Sequence, residues 1–232
     1  MTAKPLAADR QDGYGGAMMA KPEIPAAAAR FADAPCLEVR GLACRRGLRL
    51  LFRGLDMHLA GGQALALYGD NGSGKTSLLR QLAGLLPIEA GHVAAPACHY
   101  LGHADGLKAA LTLAETLQFE AALHGAPVGA ADPQDDLLAG LGLAGRAAQP
   151  VGDLSAGQRR RLGLARLLLA PRPLWLLDEP LTALDTQGIA LIDELARRHM
   201  AAGGLIVAAS HVELAFATQT LSLADYRPEP AA

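Results

Sequence analysis

ALALYGDNGSGKTSLLRQLAGLL, residues 64–86, decides the fold. Residues 64–68 form a short apolar run that reads as a buried strand, residues 69–74 a glycine-rich turn, and TSLLRQLAGLL has helical spacing. A strand passing through glycines into a helix is the setting that a phosphate-binding loop requires, and the turn matches GxxxxGK[ST]. Gly69, Gly72 and Gly74 let the backbone around Asp70, Asn71 and Ser73 curl, so that several N–H groups turn inward on β- and γ-phosphates. Lys75 adds a point charge, and the Thr76 hydroxyl is of the type that ligates Mg²⁺. Ser77 follows in the first turn of a helix whose positive end faces the same anion.

Downstream, LWLLDEP at residues 174–180 reads as a second buried strand, ended by Pro180. After a phosphate loop, Asp178 at the strand end is the expected Mg²⁺ ligand, often through water. Glu179, one residue on, points elsewhere and is the expected general base for the attacking water. Residues 189–200 read as a helix, and 205–209, LIVAA, as another buried strand. Upstream, CLEVRGLAC from residue 36 and LLFRGLDMHL from residue 50 alternate like strands. Residues 111–169 are helical and rich in Ala and Leu, with breaks at 125–133 and around 150. Strands alternating with helices imply an α/β fold with a mostly parallel sheet and an inserted helical segment.

Composition narrows the class. Of 232 residues, 51% are hydrophobic and 19% charged, which suits a globular chain with a sizeable core. A net charge of -2 leaves no electrostatic footprint for nucleic acid. Cys36, Cys44 and Cys98 make no CxxC pair and no CxxCH, so neither a zinc site, a disulfide framework nor a haem ligand set is expected. Cys98-His99 reads as strand packing. The apolar stretch 162–177 is broken by Arg166, Pro171, Arg172 and Pro173, too soon for a membrane span. Residues 1–35, rich in Ala, Pro and Gly without a signal-peptide core, read as a tail, with Met18 and Met19 as candidate translation starts. A second tail is expected at 227–232.

LSAGQRRRLGLARLL, residues 154–168, resembles the signature of the ATP-binding cassette family, whose usual form is LSGGQ. Alone, LSAGQ is a helix start with Ser155 as N-cap; its place 79 residues after Lys75 and 24 before Asp178 makes it a signature. Arg159, Arg160 and Arg161 read as a solvated helix face. Ala183-Leu184-Asp185 resembles the family's loop between paired subunits. His211, 33 residues after Asp178, resembles its switch histidine, which contacts the γ-phosphate and orients the catalytic water.

Two departures stand out. Where the family carries an aromatic ring to stack on adenine, this chain has Cys44-Arg45-Arg46-Gly47, with an arginine plane as the substitute. Where the family carries a glutamine that ligates Mg²⁺, this chain has His103, a poor Mg²⁺ ligand by chemistry. YLGH, GLK, LT and ET–L in the segment 99–117, with LSAGQ and the opening LEVRGLACRRGLRLLFRGL, resemble the haem-exporter branch that serves cytochrome c maturation.

The resemblance covers about residues 37–223 and implies the rest of the expectation. The domain, 36–226, would combine the parallel core sheet with an antiparallel β subdomain and the helical subdomain at about 111–169. It would hydrolyse ATP with Mg²⁺. Two copies would sandwich ATP between one copy's phosphate loop and the other's Leu154, Ser155, Ala156, Gly157 and Gln158. Integral membrane permease subunits would be its partners at the cytoplasmic face of the inner membrane, and the cycle would release haem-loaded chaperone. An exporter for another substrate, or a soluble cassette protein in metallocluster assembly or nucleic-acid work, remains the alternative at this stage.

Overall fold

The computed structural model describes residues 31, 34–125 and 131–228, without the side chains of residues 131–133. Met18, Met19 and nearly all of the expected N-terminal tail lie outside the described residues, as do residues 229–232. Two sheets organise the rest. The smaller is antiparallel, with β1 (Cys36–Arg46) paired to β2 (Arg49–Ala60) on one side and β4 (Ala90–Ala94) on the other. The larger is fully parallel, in the order β5 (Cys98–Leu101), β6 (Leu174–Asp178), β7 (Leu205–Ala209), β3 (Ala64–Tyr68), β8 (Gln219–Ser222).

Because side chains alternate across a strand, each inner strand of the parallel sheet feeds two cores. Leu65, Leu67, Leu174, Leu176, Leu205 and Val207 pack toward α1 (Lys75–Leu82) and the antiparallel sheet, with Phe52, Leu55, Leu78 and Leu79. Ala64, Ala66, Trp175, Leu177, Ile206 and Ala208 face the other way, toward α6 (Thr186–Ala201) and the inserted helices. Both faces are covered, which is why β3, β6 and β7 read as continuous apolar runs.

The inserted segment holds α2 (Leu113–His124), α3 (Ala131–Gly140), α4 (Ala156–Gly163) and α5 (Ala165–Leu169). Thr112 and Glu115 form a reciprocal capping box at the start of α2, and Gly125 ends it in the left-handed region at φ 69°. The expected break at 125–133 lies partly outside the described residues. The helix resumes at Ala131, so Pro133 sits in its first turn, where a missing N–H costs nothing.

β4 and β8 have no counterpart in the sequence reading. Both are short edge strands, AGHVA and QTLS, whose half-solvated positions carry no apolar alternation. Phe31 departs from the expected tail: its N–H donates to Ala202 O, and its ring meets His199 edge-on. No helix among the described residues is long and apolar enough to cross a membrane.

Candidate nucleotide and catalytic site

The C-terminal ends of β3, β5, β6 and β7 point the same way, so the loops that follow them converge; in a parallel sheet this is where ligands sit. The phosphate loop leaves β3 with Gly69 at φ 147°, Gly72 at φ 77° and Gly74 at φ 110°. Space reinforces conformation at two of these. A Cβ on Gly69 would stand 2.7 Å from Ser73 Oγ, and one on Gly74 would stand 3.1 Å from the Phe52 ring. Gly74 is also the N-cap of α1 and offers no side-chain cap, so the first N–H groups of the helix are open to an anion. The buried Lys75 folds back over the loop, and its Nζ donates to Gly69 O at 2.6 Å.

The Thr76 hydroxyl donates to Asp178 Oδ2 at 2.9 Å. Tyr100, on the neighbouring strand β5, donates to the same oxygen at 3.5 Å and accepts from Arg80 Nε at 3.4 Å. Burial pushes the Tyr100 phenol above its ordinary pKa, so it remains a donor. A hydroxyl and a carboxylate in contact beside a phosphate loop are hard oxygen donors of the kind Mg²⁺ takes. His103 is exposed and lines the same cavity, but its nitrogen suits softer metals.

Glu179 directly follows β6 and is one of two non-glycine residues at positive φ among those described, at 50°. Its N–H donates to Ala209 O at 2.9 Å. Its Oε1 lies 3.3 Å from His211 Nε2, and that nitrogen lies 3.4 Å from Lys75 Nζ. A carboxylate, an imidazole and an ammonium therefore meet at one point beside the phosphate loop.

The signature begins α4. Ser155 and Gln158 form a capping box, with Gln158 N–H donating to Ser155 Oγ at 3.2 Å and Ser155 N–H donating to Gln158 Oε1 at 2.9 Å. Gly157 packs on the Ala183-Leu184-Asp185 loop so closely that a Cβ would stand 2.7 Å from Ala183 O. Ala183 is the other non-glycine residue at positive φ, 64°. Asp185 closes the loop by capping α6, its Oδ1 accepting from Gly188 N–H at 2.8 Å.

The solvated face expected for Arg159, Arg160 and Arg161 is not what forms. Arg160 is 5% exposed and donates only to backbone carbonyls, while the Arg161 side chain is 14% exposed. The helix lies against the parallel sheet's C-terminal edge, so the middle arginine points inward. A run of like charges carries no signal of which member does so.

A cavity of about 710 Å³ joins these groups. Arg46, Arg49 and Leu51 of the β1–β2 hairpin close one side, and no Phe, Tyr or Trp is among its lining residues. The arginine expected to replace an aromatic is therefore present at the rim, as Arg46, while Cys44 is buried in the core. Lys75, Thr76, Asp178, Glu179, His103 and His211 all line the cavity; Leu154, Ser155, Ala156, Gly157 and Gln158 do not. In the sequence Tyr100 reads only as part of YLGH and Arg160 only as part of a solvated helix face, since neither belongs to a motif with a chemical rationale of its own.

Residues 52–182 match the family profile described as ABC transporter. Two similar proteins are each named "Cytochrome c biogenesis ATP-binding export protein CcmA". The one from Rhodopseudomonas palustris is 49% identical over 201 residues, covering 81% of this chain and 97% of that protein. The one from Cereibacter sphaeroides is 48% identical over 196 residues, covering 83% and 91%. Among solved structures, an ABC transporter ATP-binding protein from Pyrococcus furiosus superposes with a TM-score of 0.73. It covers 83% of this chain and all of its own at 22% identity, a likeness of fold.

Proposed function

This chain belongs to the ABC transporter family as an ATP-hydrolysing subunit, and we propose that it powers an export complex for cytochrome c biogenesis. The observation that carries the chemistry is the meeting of Lys75, the Thr76–Asp178 pair and the Glu179–His211 pair in one cavity behind a glycine loop. The loop's open N–H groups and Lys75 bind the β- and γ-phosphates. Thr76 and Asp178 would hold a magnesium ion, which would supply charge neutralisation on the phosphoryl oxygens. Glu179 takes the proton of the attacking water as it moves in line onto the γ-phosphorus. His211, next to both Glu179 and Lys75, orients that water and contacts the γ-phosphate.

Ser155, Gly157 and their neighbours act on a second copy's ATP. This reading is supported by their absence from the lining of the chain's own cavity. Two copies closing on two ATP molecules would then drive integral membrane permease subunits, from the cytoplasmic face of the inner membrane. The cytochrome c biogenesis export named for the relatives supports that partnership; release of haem-loaded chaperone as the work done is our inference from the likeness of residues 99–117 to the haem-exporter branch.

Capture of the full chain from detergent-solubilised membranes tests the assignment. Co-recovery of an integral membrane protein, with ATP turnover by the recovered complex, is expected. Recovery of the chain alone would overturn the transporter reading.

A further inference from the structure

Arg160 takes no part in the chemistry above, yet it is the most deeply committed cation near it. Its guanidinium bonds three carbonyls in two segments. Nη1 donates to Gly102 O at 2.8 Å, in the loop that carries His103, and Nη2 donates to Asp178 O and Glu179 O, each at 2.9 Å. Nε is buried with no hydrogen-bond partner among the described residues. Burying a guanidinium is costly, and an apolar side chain would fill the same space without that cost. What arginine adds is a rigid planar fork that fixes several acceptors relative to one another.

The acceptor that matters is Glu179. A glutamate at φ 50° sits in a sparsely populated region and persists only where its surroundings over-determine it. Three bonds hold that backbone: its N–H donates to Ala209 O at 2.9 Å, and its carbonyl accepts from Thr182 N–H at 3.2 Å and from Arg160 Nη2 at 2.9 Å. Arg160 makes the shorter of the two bonds to that carbonyl. Without it only the local turn bond from Thr182 holds the carbonyl, and the peptide can then relax toward negative φ and swing the carboxylate from its place 3.3 Å from His211. The same fork is anchored in α4, five residues after the Ser155 that caps the signature helix. Placement of that helix and placement of the base are thus tied through one side chain.

We propose that Arg160 is a positioning residue for hydrolysis: its fork holds the strained backbone of Glu179, and ties the base's geometry to the seating of the signature helix. The proposal rests on the reading of Glu179 as the general base.

The test compares Arg160→Gln and Arg160→Lys with the unchanged chain, each in its membrane complex, measuring ATP turnover, affinity for a fluorescent ATP analogue and thermal midpoint. Arg160→Gln should lower kcat by about 100-fold, the cost of a small misplacement of a reacting group, with nucleotide affinity within about twofold. Arg160→Lys keeps the charge without the fork and should fall between, at about a tenfold loss. Turnover within about twofold of the unchanged chain in either variant would overturn the proposal, as would a parallel loss of affinity and kcat. Failure of both variants to fold would make Arg160 a structural clamp and overturn it too. Glu179→Gln is run alongside: normal turnover there would remove the base itself, a failure distinct from that of Arg160.

Discussion

Thr76 and Asp178 are 102 positions apart in the chain and 2.9 Å apart in the fold, the hydroxyl donating to the carboxylate. Thr76 lies in the first turn of α1 after β3, and Asp178 ends β6, with β7 lying between those two strands. Only the sheet order and the common direction of the strands bring the two oxygens together. Where they meet is a ready oxygen pair for magnesium, backed by Tyr100.

Asp178→Asn removes the charged half of that pair while keeping its shape. The Mg²⁺ concentration needed for half-maximal ATP turnover should rise by about 10- to 100-fold. A magnesium titration of the variant complex checks this, and an unchanged midpoint would detach Asp178 from the metal.

Glu179→Gln should lower turnover by about 10²- to 10⁴-fold while ATP binding persists. Retained ATP should hold two copies together, so size-exclusion chromatography with light scattering should show an ATP-dependent dimer. Near-normal hydrolysis would remove Glu179 as the base.

Lys75→Ala should weaken nucleotide affinity by at least about 10-fold and stop turnover, because the loop loses its one fixed cation next to the phosphates. Calorimetric titration with ATP reads the affinity. If binding and turnover both survived, the phosphate-loop assignment would be wrong.

Gly157→Ala forces a methyl to within 2.7 Å of Ala183 O, a backbone atom that cannot swing aside. Overpacking of this kind costs about 1–3 kcal/mol, so thermal unfolding should come earlier. Displacement of the signature should also depress turnover, while ATP binding to the chain's own phosphate loop stays intact. Turnover equal to that of the unchanged chain would argue that the signature's contact with Ala183 is incidental.

His199 stacks on Trp175 with ring centroids 3.9 Å apart, and burial holds its pKa down to about 4 from an ordinary 6.5. His99 is held down to about 4 by the same cause. Between those values the unfolded chain binds more protons than the folded one, so stability falls as pH drops from 6.5 toward 4 and is unaffected above. The loss is at most about 3 kcal/mol for each histidine. His199→Phe keeps a ring against Trp175 and should remove about half of the acid sensitivity, leaving that of His99. Thermal midpoints measured at neutral and mildly acidic pH decide it; equal sensitivity in the variant would contradict the assignment to His199.

Much of the site was legible as motif. Glycines at fixed spacing before Lys75 have one common physical use, and two acids at the end of a buried strand acquire theirs once a phosphate loop precedes them. Edge strands β4 and β8 were not legible, because a strand with one solvated side and few residues leaves no period to detect. Arg160 and Arg161 were misread because charge patterning assigns a helix face its average environment, and two of the three arginines here are largely buried.

By itself the sequence determined the chemistry available to this protein: a phosphate loop, a carboxylate pair, a signature and a histidine in a family's order. Those are local facts, set by residue type and spacing along the chain. Which groups touch was decided only by the tertiary structure. The Thr76–Asp178 contact, the Glu179–His211 contact and the fork of Arg160 all join segments far apart in sequence. Each depends on the order of strands in the sheet and on which side of a helix is pressed against it. No local pattern encodes those, since they come from burying the apolar faces of many elements at once.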